Sequence, residues 1–144
     1  MEDLEKRIKH HEGYRNMVYR DTLGKRTIGW GHLCRKDETW EDDTEYPEEV
    51  LQHYFDIDFD TAIAGADRLC GNMNLPEKAE EIIIEMCFQL GETGVSKFKN
   101  MLSALEKKDF QTAADEMMDS RWAKQTYSRA RNLSDEMRLL CHAT

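Results

Sequence analysis

The sequence predicts a predominantly α-helical α+β protein with a small sheet-bearing lobe (1–12 and 13–47), a linking helix (48–71) and an all-helical lobe (72–144). Three observations carry that prediction. Strand-type segments are short and confined to the stretch between Gly13 and Leu33. An apolar stripe at helical spacing then runs from Leu51 to Leu69. Beyond it, the apolar positions follow helical periodicity almost to the end of the chain. At 144 residues the length suits one compact unit or two lobes sharing a helix.

The first helix is expected over Asp3–Glu12, with Leu4, Ile8 and His11 on one side and Gly13 as its stop. "MVYR", "KRTIG" and "GHL" follow, separated by "DTLG" and by glycines, and read as two or three antiparallel strands. Such a sheet is marginal alone and must lean on a helix. "KDETWEDDTEYP" is a polar connection, after which Pro47 opens the linking helix. That helix carries Leu51, Tyr54, Phe55, Phe59, Ala62, Ile63, Ala66 and Leu69 on its apolar stripe. Next, "NLPEKAEEIIIEMCFQLGETG" reads as a mostly buried helix ending at Gly91. Shorter helices are expected over Ser96–Glu106, Asp109–Met118, Ser120–Lys124 and Ser134–Cys141, each opened by its first residue as N-cap. A cleft is expected where the two lobes meet.

Composition excludes several function classes. The formal charge of −9 argues against nucleic acid, which calls for a basic stripe. No window approaches the ~18 apolar residues of a membrane span, and "MEDLEKRIKHHEG" has no signal core, so no membrane insertion and a cytoplasmic start are expected. Cys34, Cys70, Cys87 and Cys141 form no CxxC pair and read as reduced thiols. His10, His11, Glu12 and His32 lack metal-site spacing, so no metal or other cofactor is expected. Ten acidic residues and no Lys or Arg lie between Glu38 and Asp60, which reads as a solvated face.

The chemistry concentrates near the start. Glu12 stands at the negative end of its helix, where an ionised carboxylate is disfavoured. That placement suits a general acid, although position alone equally fits a surface Glu that happens to end a helix. Asp21 is first a turn-former, since "DTLG" has the Asp and Gly of a type I turn. Thr27, Gly29 and Gly31 alternate onto one strand face, where two glycines beside a hydroxyl leave a bare floor for a flat ligand. An acid, a second carboxylate and a hydroxyl together suit cleavage of a glycosidic bond.

"HHEG" followed by "YRDTLGKRTIGWGHL" resembles the T-even phage lysozymes, endolysins of glycoside hydrolase family 24. The resemblance returns, in the family's order, in "MCFQLGETGVSKFKN" and "SRWAKQTYSRA". It implies a lysozyme-like two-lobed fold and an endo-acting muramidase that cleaves the β-1,4 link between N-acetylmuramic acid and N-acetylglucosamine. Glu12 matches the family's general acid, while Asp21 and Thr27 match the carboxylate and hydroxyl that hold the attacking water of an inverting reaction. Arg129 matches an arginine placed against the acid, and His32 a histidine paired with an aspartate on the linking helix, for which Asp58 is the candidate. Leu33 and Phe88 match substrate-lining positions, with Phe88 equally readable as core, and Gly31 joins them as groove floor. The resemblance further implies peptidoglycan as the partner, a monomer, and residence in the host bacterial cytoplasm until a holin-type pore gives access to the wall.

The chain departs from the pattern at Met101 and Glu116, polar cleft positions in the family, and at Tyr127, usually proline. Its connection between sheet and linking helix is short. Its acidity predicts weak steering toward anionic walls and activity that improves with moderate salt. The rival readings are a lytic transglycosylase, which needs no positioned water, a different glycan specificity on the same fold, and a wall-binding relic without catalysis.

Overall fold

In the computed structural model, which describes residues 1–142, helix α1 spans Glu2–Glu12 and buries Leu4 and Ile8. Gly13 ends it with a φ of 74° while its N–H still donates to the Lys9 carbonyl. Three short strands follow: β1 (Arg15–Arg20), β2 (Arg26–Gly29) and β3 (His32–Leu33). They form one antiparallel sheet in the order β1-β2-β3. Tyr19 opposes Thr27, Thr27 opposes Leu33, and Ile28 opposes His32. Directly opposed residues share a face. Tyr19, Thr27 and Leu33 therefore make one row across the sheet, and Ile28 and His32 lie on the other side.

The reverse face carries the core of this unit. Ile28, Trp40 and Leu51 are buried together, with Val18, Trp30, Tyr46 and Tyr54 packed against them. Leu51 comes from helix α2 (Glu48–Cys70), so the sheet leans on that helix as its size requires. The Pro47 carbonyl receives the N–H groups of Val50 and Leu51, which places the proline just ahead of the first turn.

One expectation about the sheet fails. Gly29 and Gly31 have φ of 66° and 77°, so the chain there is not extended and strict alternation of faces does not hold. A side chain on Gly29 would meet Leu51, whereas one on Gly31 would meet Glu12. The two glycines do not form one bare floor with Thr27.

The described residues divide into two units, Met1–Thr61 and those from Ala62 on, with the division inside α2. The second unit is helical. It holds α3 (Glu77–Ser96), α4 (Lys99–Glu106), α5 (Phe110–Met118), α6 (Arg121–Gln125) and α7 (Tyr127–Leu139). Ile82, Ile83, Met86, Met101, Leu105, Met117, Leu133 and Met137 are fully buried there. Gly91 interrupts α3 at φ 78°, ψ 160°, and one further turn runs on to Ser96. Asp109 and Ser120 cap α5 and α6 through their side-chain oxygens, which accept the N–H groups of Thr112 and Ala123.

Two predicted caps are wrong. Ser96 closes α3 rather than opening α4, and its hydroxyl donates back to the Thr93 carbonyl. Ser134 lies inside α7, fully buried, with its hydroxyl on the Arg131 carbonyl. Both serines use the local back-bond that competes with capping. The true start of α7 is at Tyr127, a first-turn position where a proline is also at home, so the helix begins normally with tyrosine there. No helix among the described residues is long and apolar enough to cross a membrane.

Candidate active site

Glu12, Asp21 and Thr27 all lie in the first unit. Glu12 is the last residue of α1 and is half-buried. Its carboxyl lies over Gly31, in the connection between β2 and β3: a Cβ built on Gly31 would fall 2.5 Å from Oε1 and 3.1 Å from Cδ of Glu12.

Asp21 holds its turn through one carboxylate oxygen. Oδ1 accepts the N–H groups of Leu23 at 2.9 Å and Lys25 at 2.8 Å, which holds the turn between β1 and β2. The Asp21 main chain completes that turn, since its N–H donates to the Lys25 carbonyl and its carbonyl accepts from Gly24. Oδ2 takes no part in the turn. The turn reading and a functional reading of Asp21 are thus compatible in one side chain.

Thr27 sits in the middle of β2 and is 3% exposed. Its hydroxyl donates to the Lys25 carbonyl at 3.0 Å. With its proton committed, Oγ1 has only acceptor capacity left for a further partner. The main chain of Lys25 therefore fixes both groups: its N–H binds Asp21 Oδ1, and its carbonyl receives the Thr27 hydroxyl.

Tyr19, opposite Thr27, connects the pieces. Burial pushes its phenol up, and the negative charges of Glu12 and Asp21 push the same way, against the opposing effect of Arg15. The Arg15 guanidinium lies 4.7 Å from the Tyr19 ring centre. Both carboxylates thus lie within electrostatic reach of one tyrosine that stands beside Thr27. On the other side of Thr27 in the same row is Leu33, whose side chain remains about half exposed.

His32 occupies the reverse face and is buried. Its Nδ1 lies 2.8 Å from Asp58 Oδ2 on α2, and its Nε2 lies 2.9 Å from Glu38 Oε1. Burial lowers its pKa, but the hydrogen bonds to Asp58 and Glu38 outweigh that and leave it raised. Glu38 Oε1 also accepts the Arg35 N–H and the Trp40 indole N–H. Burial raises the Glu38 carboxyl, but these donors and His32 hold it below its ordinary value. Glu38 is a partner that sequence reasoning missed, because it was absorbed into an acidic run read as a solvated face.

The remaining predicted residues lie in the helical unit. Phe88, on α3, is half-buried rather than part of the fully buried core. Arg129, on α7, is buried, and its Nε donates at 2.9 Å to Oε2 of Glu85, a carboxylate with no exposed surface. Glu85 too was missed, since a glutamate inside an apolar helix gives no sign from sequence of which face it takes. Met101 and Glu116 line a concavity of about 690 Å³ in this unit, together with Phe98, Asn100, Arg121 and Trp122. Glu116 accepts there from the Asn100 amide at 3.2 Å. Among the described residues, no group of three or more His, Cys, Asp or Glu side chains is placed to hold a metal ion.

The chain is 29% identical to probable T4-type lysozyme 2 of Dictyostelium discoideum over 88% of each chain. It is 28% identical to the peptidoglycan hydrolase gp36 of Pseudomonas phage phiKMV, over 87% of this chain but 14% of that protein. The pre-baseplate central spike protein Gp5 of Enterobacteria phage T4 is also 28% identical, over 85% of this chain and 25% of its own length. This chain therefore matches a segment of those two longer proteins. The sequence profile of the phage lysozyme family covers residues 9–135, and with that span the chain belongs to the phage lysozyme family and is a hydrolase of the lysozyme class.

Proposed function

We propose that the chain is an endo-acting muramidase hydrolysing the β-1,4 bond between N-acetylmuramic acid and N-acetylglucosamine in peptidoglycan. The observation that carries the reading is the Lys25 main chain, whose N–H holds Asp21 and whose carbonyl holds Thr27, beside a Tyr19 that feels the charges of both Glu12 and Asp21. A water donating one proton toward Asp21 Oδ2 and the other toward Thr27 Oγ1 would present its lone pair to the anomeric carbon. Glu12 gives its proton to the leaving oxygen as the C–O bond breaks. The water oxygen forms the new bond from the opposite side, and its proton passes to Asp21, so the product is a reducing sugar of inverted configuration.

Arg129, Leu33 and Phe88 belong to the same proposal as supporting and substrate-lining residues, and similarity to the peptidoglycan hydrolase of phage phiKMV supports the substrate class. Action as a monomer, with a pore-forming partner giving access to the wall, completes the reading.

The test is digestion of purified peptidoglycan by the wild type and Glu12→Gln, with products identified by mass spectrometry. Reducing-end muropeptides from the wild type and at least a hundredfold less from the variant are expected, a loss within the range of general acid catalysis (about 10²–10⁴-fold). Anhydro-sugar products would overturn the hydrolytic reading in favour of a transglycosylase. Undiminished hydrolysis by Glu12→Gln would remove Glu12 from the role of acid.

A further inference from the structure

Gly31 is held at φ +77°, and the usual reason for a glycine there would be the backbone alone. This chain, however, places Asp43, Asn74 and Lys108 at φ of 59°, 58° and 59° without glycine. Positive φ is therefore an incomplete account of position 31. What distinguishes Gly31 is the space its missing side chain leaves. Gly13, Gly24 and Gly91, at φ of 74°, 80° and 78°, have nothing within 4 Å of a built Cβ. At Gly31 the same atom would stand 2.5 Å from Glu12 Oε1, 3.1 Å from Cδ and 3.6 Å from Cγ. The carboxyl occupies the place of the absent side chain.

We infer that Gly31 is a positioning residue for the acid: the bare backbone of the β2–β3 connection is the seat on which the Glu12 carboxyl rests. The inference builds on the proposed role of Glu12 and adds what holds that group in line. α1 brings Glu12 to the sheet at its final residue, where the following Gly13 gives the side chain no helical neighbour on its C-terminal side. The Gly31 backbone is one surface that limits where that carboxyl can stand. To restore an ordinary contact of 3.4 Å against a methyl group, Oε1 would have to withdraw by about 0.9 Å, the difference between 3.4 and 2.5 Å. Because Oε1 ends a flexible side chain, the fold can absorb that movement cheaply. Catalysis cannot, since a displacement of about 1 Å in a reacting group costs on the order of 10²-fold in rate.

The test compares Gly31→Ala with Gly91→Ala, which places a side chain at nearly the same positive φ (78° against 77°) but in open space. Steady-state kinetics on soluble uncrosslinked peptidoglycan strands should show a kcat loss of about a hundredfold for Gly31→Ala with KM within about threefold. Gly91→Ala should keep kcat within about threefold while losing a similar amount of thermal stability. A Gly31→Ala enzyme with near-wild-type kcat, or one impaired only through KM, would overturn the inference; the latter would return Gly31 to a substrate-binding role.

A second measurement needs no change at position 31. In wild-type protein the Gly31 Cα and Hα resonances should follow the ionisation of the Glu12 carboxyl by NMR, and should cease to do so in Glu12→Gln. Gly31 resonances that ignore Glu12 would overturn the seat even if Gly31→Ala failed to fold. Loss of activity in Glu12→Gln together with full activity in Gly31→Ala would reject the seat and leave the acid in place. Full activity in both would reject the acid itself.

Discussion

Removing charge from the carboxylates around His32 should cost stability in a pH-dependent way that the geometry specifies. Asp58→Asn and Glu38→Gln keep the shape of each side chain. Glu38 is the cleaner perturbation, because its Oε1 accepts from His32 Nε2, Arg35 N and Trp40 Nε1 together, and a glutamine oxygen can stay in that place. Two carboxylates on one imidazole are both satisfied by N–H donors only when the ring carries both protons. A buried hydrogen bond to a charged group is worth about 1.5–3 kcal/mol and a neutral one about 0.5–1.5 kcal/mol, so each variant should lose about 1–1.5 kcal/mol while His32 is charged. For a chain of this length that is about 3–5 °C in Tm, and about twice as much for the double variant.

The pH window follows from the two shifts. His32 is raised above its ordinary 6.5, so its contribution is full below that value and is lost as pH rises through the folded-state value. Glu38 is lowered from its ordinary 4.5, so its contribution is full above that value and is lost as pH falls through the folded-state value. The deficit of the double variant should therefore be greatest between 4.5 and 6.5 and should shrink in alkali to the part that Glu38 draws from the Arg35 and Trp40 N–H groups. Thermal unfolding of all four proteins across that range is the assay. A deficit of equal size at about pH 5.5 and about pH 9 would refute the reasoning, because packing alone would then explain it.

Two further outcomes are expected. Arg129→Met should destabilise by about 3–5 kcal/mol in urea unfolding, since it strips the guanidinium from a carboxylate with no exposed surface, and Arg129→Met combined with Glu85→Leu should recover most of that loss. Ellman's reagent should label the half-buried Cys34 and Cys141 in the native protein and all four thiols only after unfolding. Burial above all pushes Cys70 up to about 11 and Cys87 up to about 12, so labelling of either at its unfolded rate would show that the helical core opens freely.

Much of the fold is legible in the sequence because long amphipathic patterns leave few alternatives: α2 begins at the residue after Pro47 and stops one residue short of its predicted end. The misplaced helix starts share a cause. Serine signals a cap by its chemistry, yet the same hydroxyl can bond back within a helix, as Ser96 and Ser134 do. The buried stripe of α7 includes Arg129 and Ser134, so its apolar period was masked by polar residues. At the candidate site the residue types could be named from the motif, but the atoms that tie Asp21 to Thr27 could not. They are the N–H and carbonyl of Lys25, where the side chain's identity carries no information. Glu38 was hidden in a different way: nine like-charged companions between Glu38 and Asp60 made it look like one more solvated acid.

The short connection between β3 and α2 has a consequence for how the protein breathes. Residues 34–47 contain neither helix nor strand, yet they are fastened to the sheet along their length. The Cys34 N–H donates to the Arg26 carbonyl at the near end, and the Tyr46 N–H donates to the Asn16 carbonyl at the far end. Between them Arg26 reaches the Trp40 carbonyl at 2.9 Å and Asp42 at 3.0 Å, and the Tyr46 hydroxyl takes the Glu41 N–H. Such a segment cannot open without disturbing β1 and β2. Loop and sheet are therefore expected to open as one cooperative unit, with the amide of Tyr46 exchanging with solvent on the timescale of the strands rather than of a surface loop.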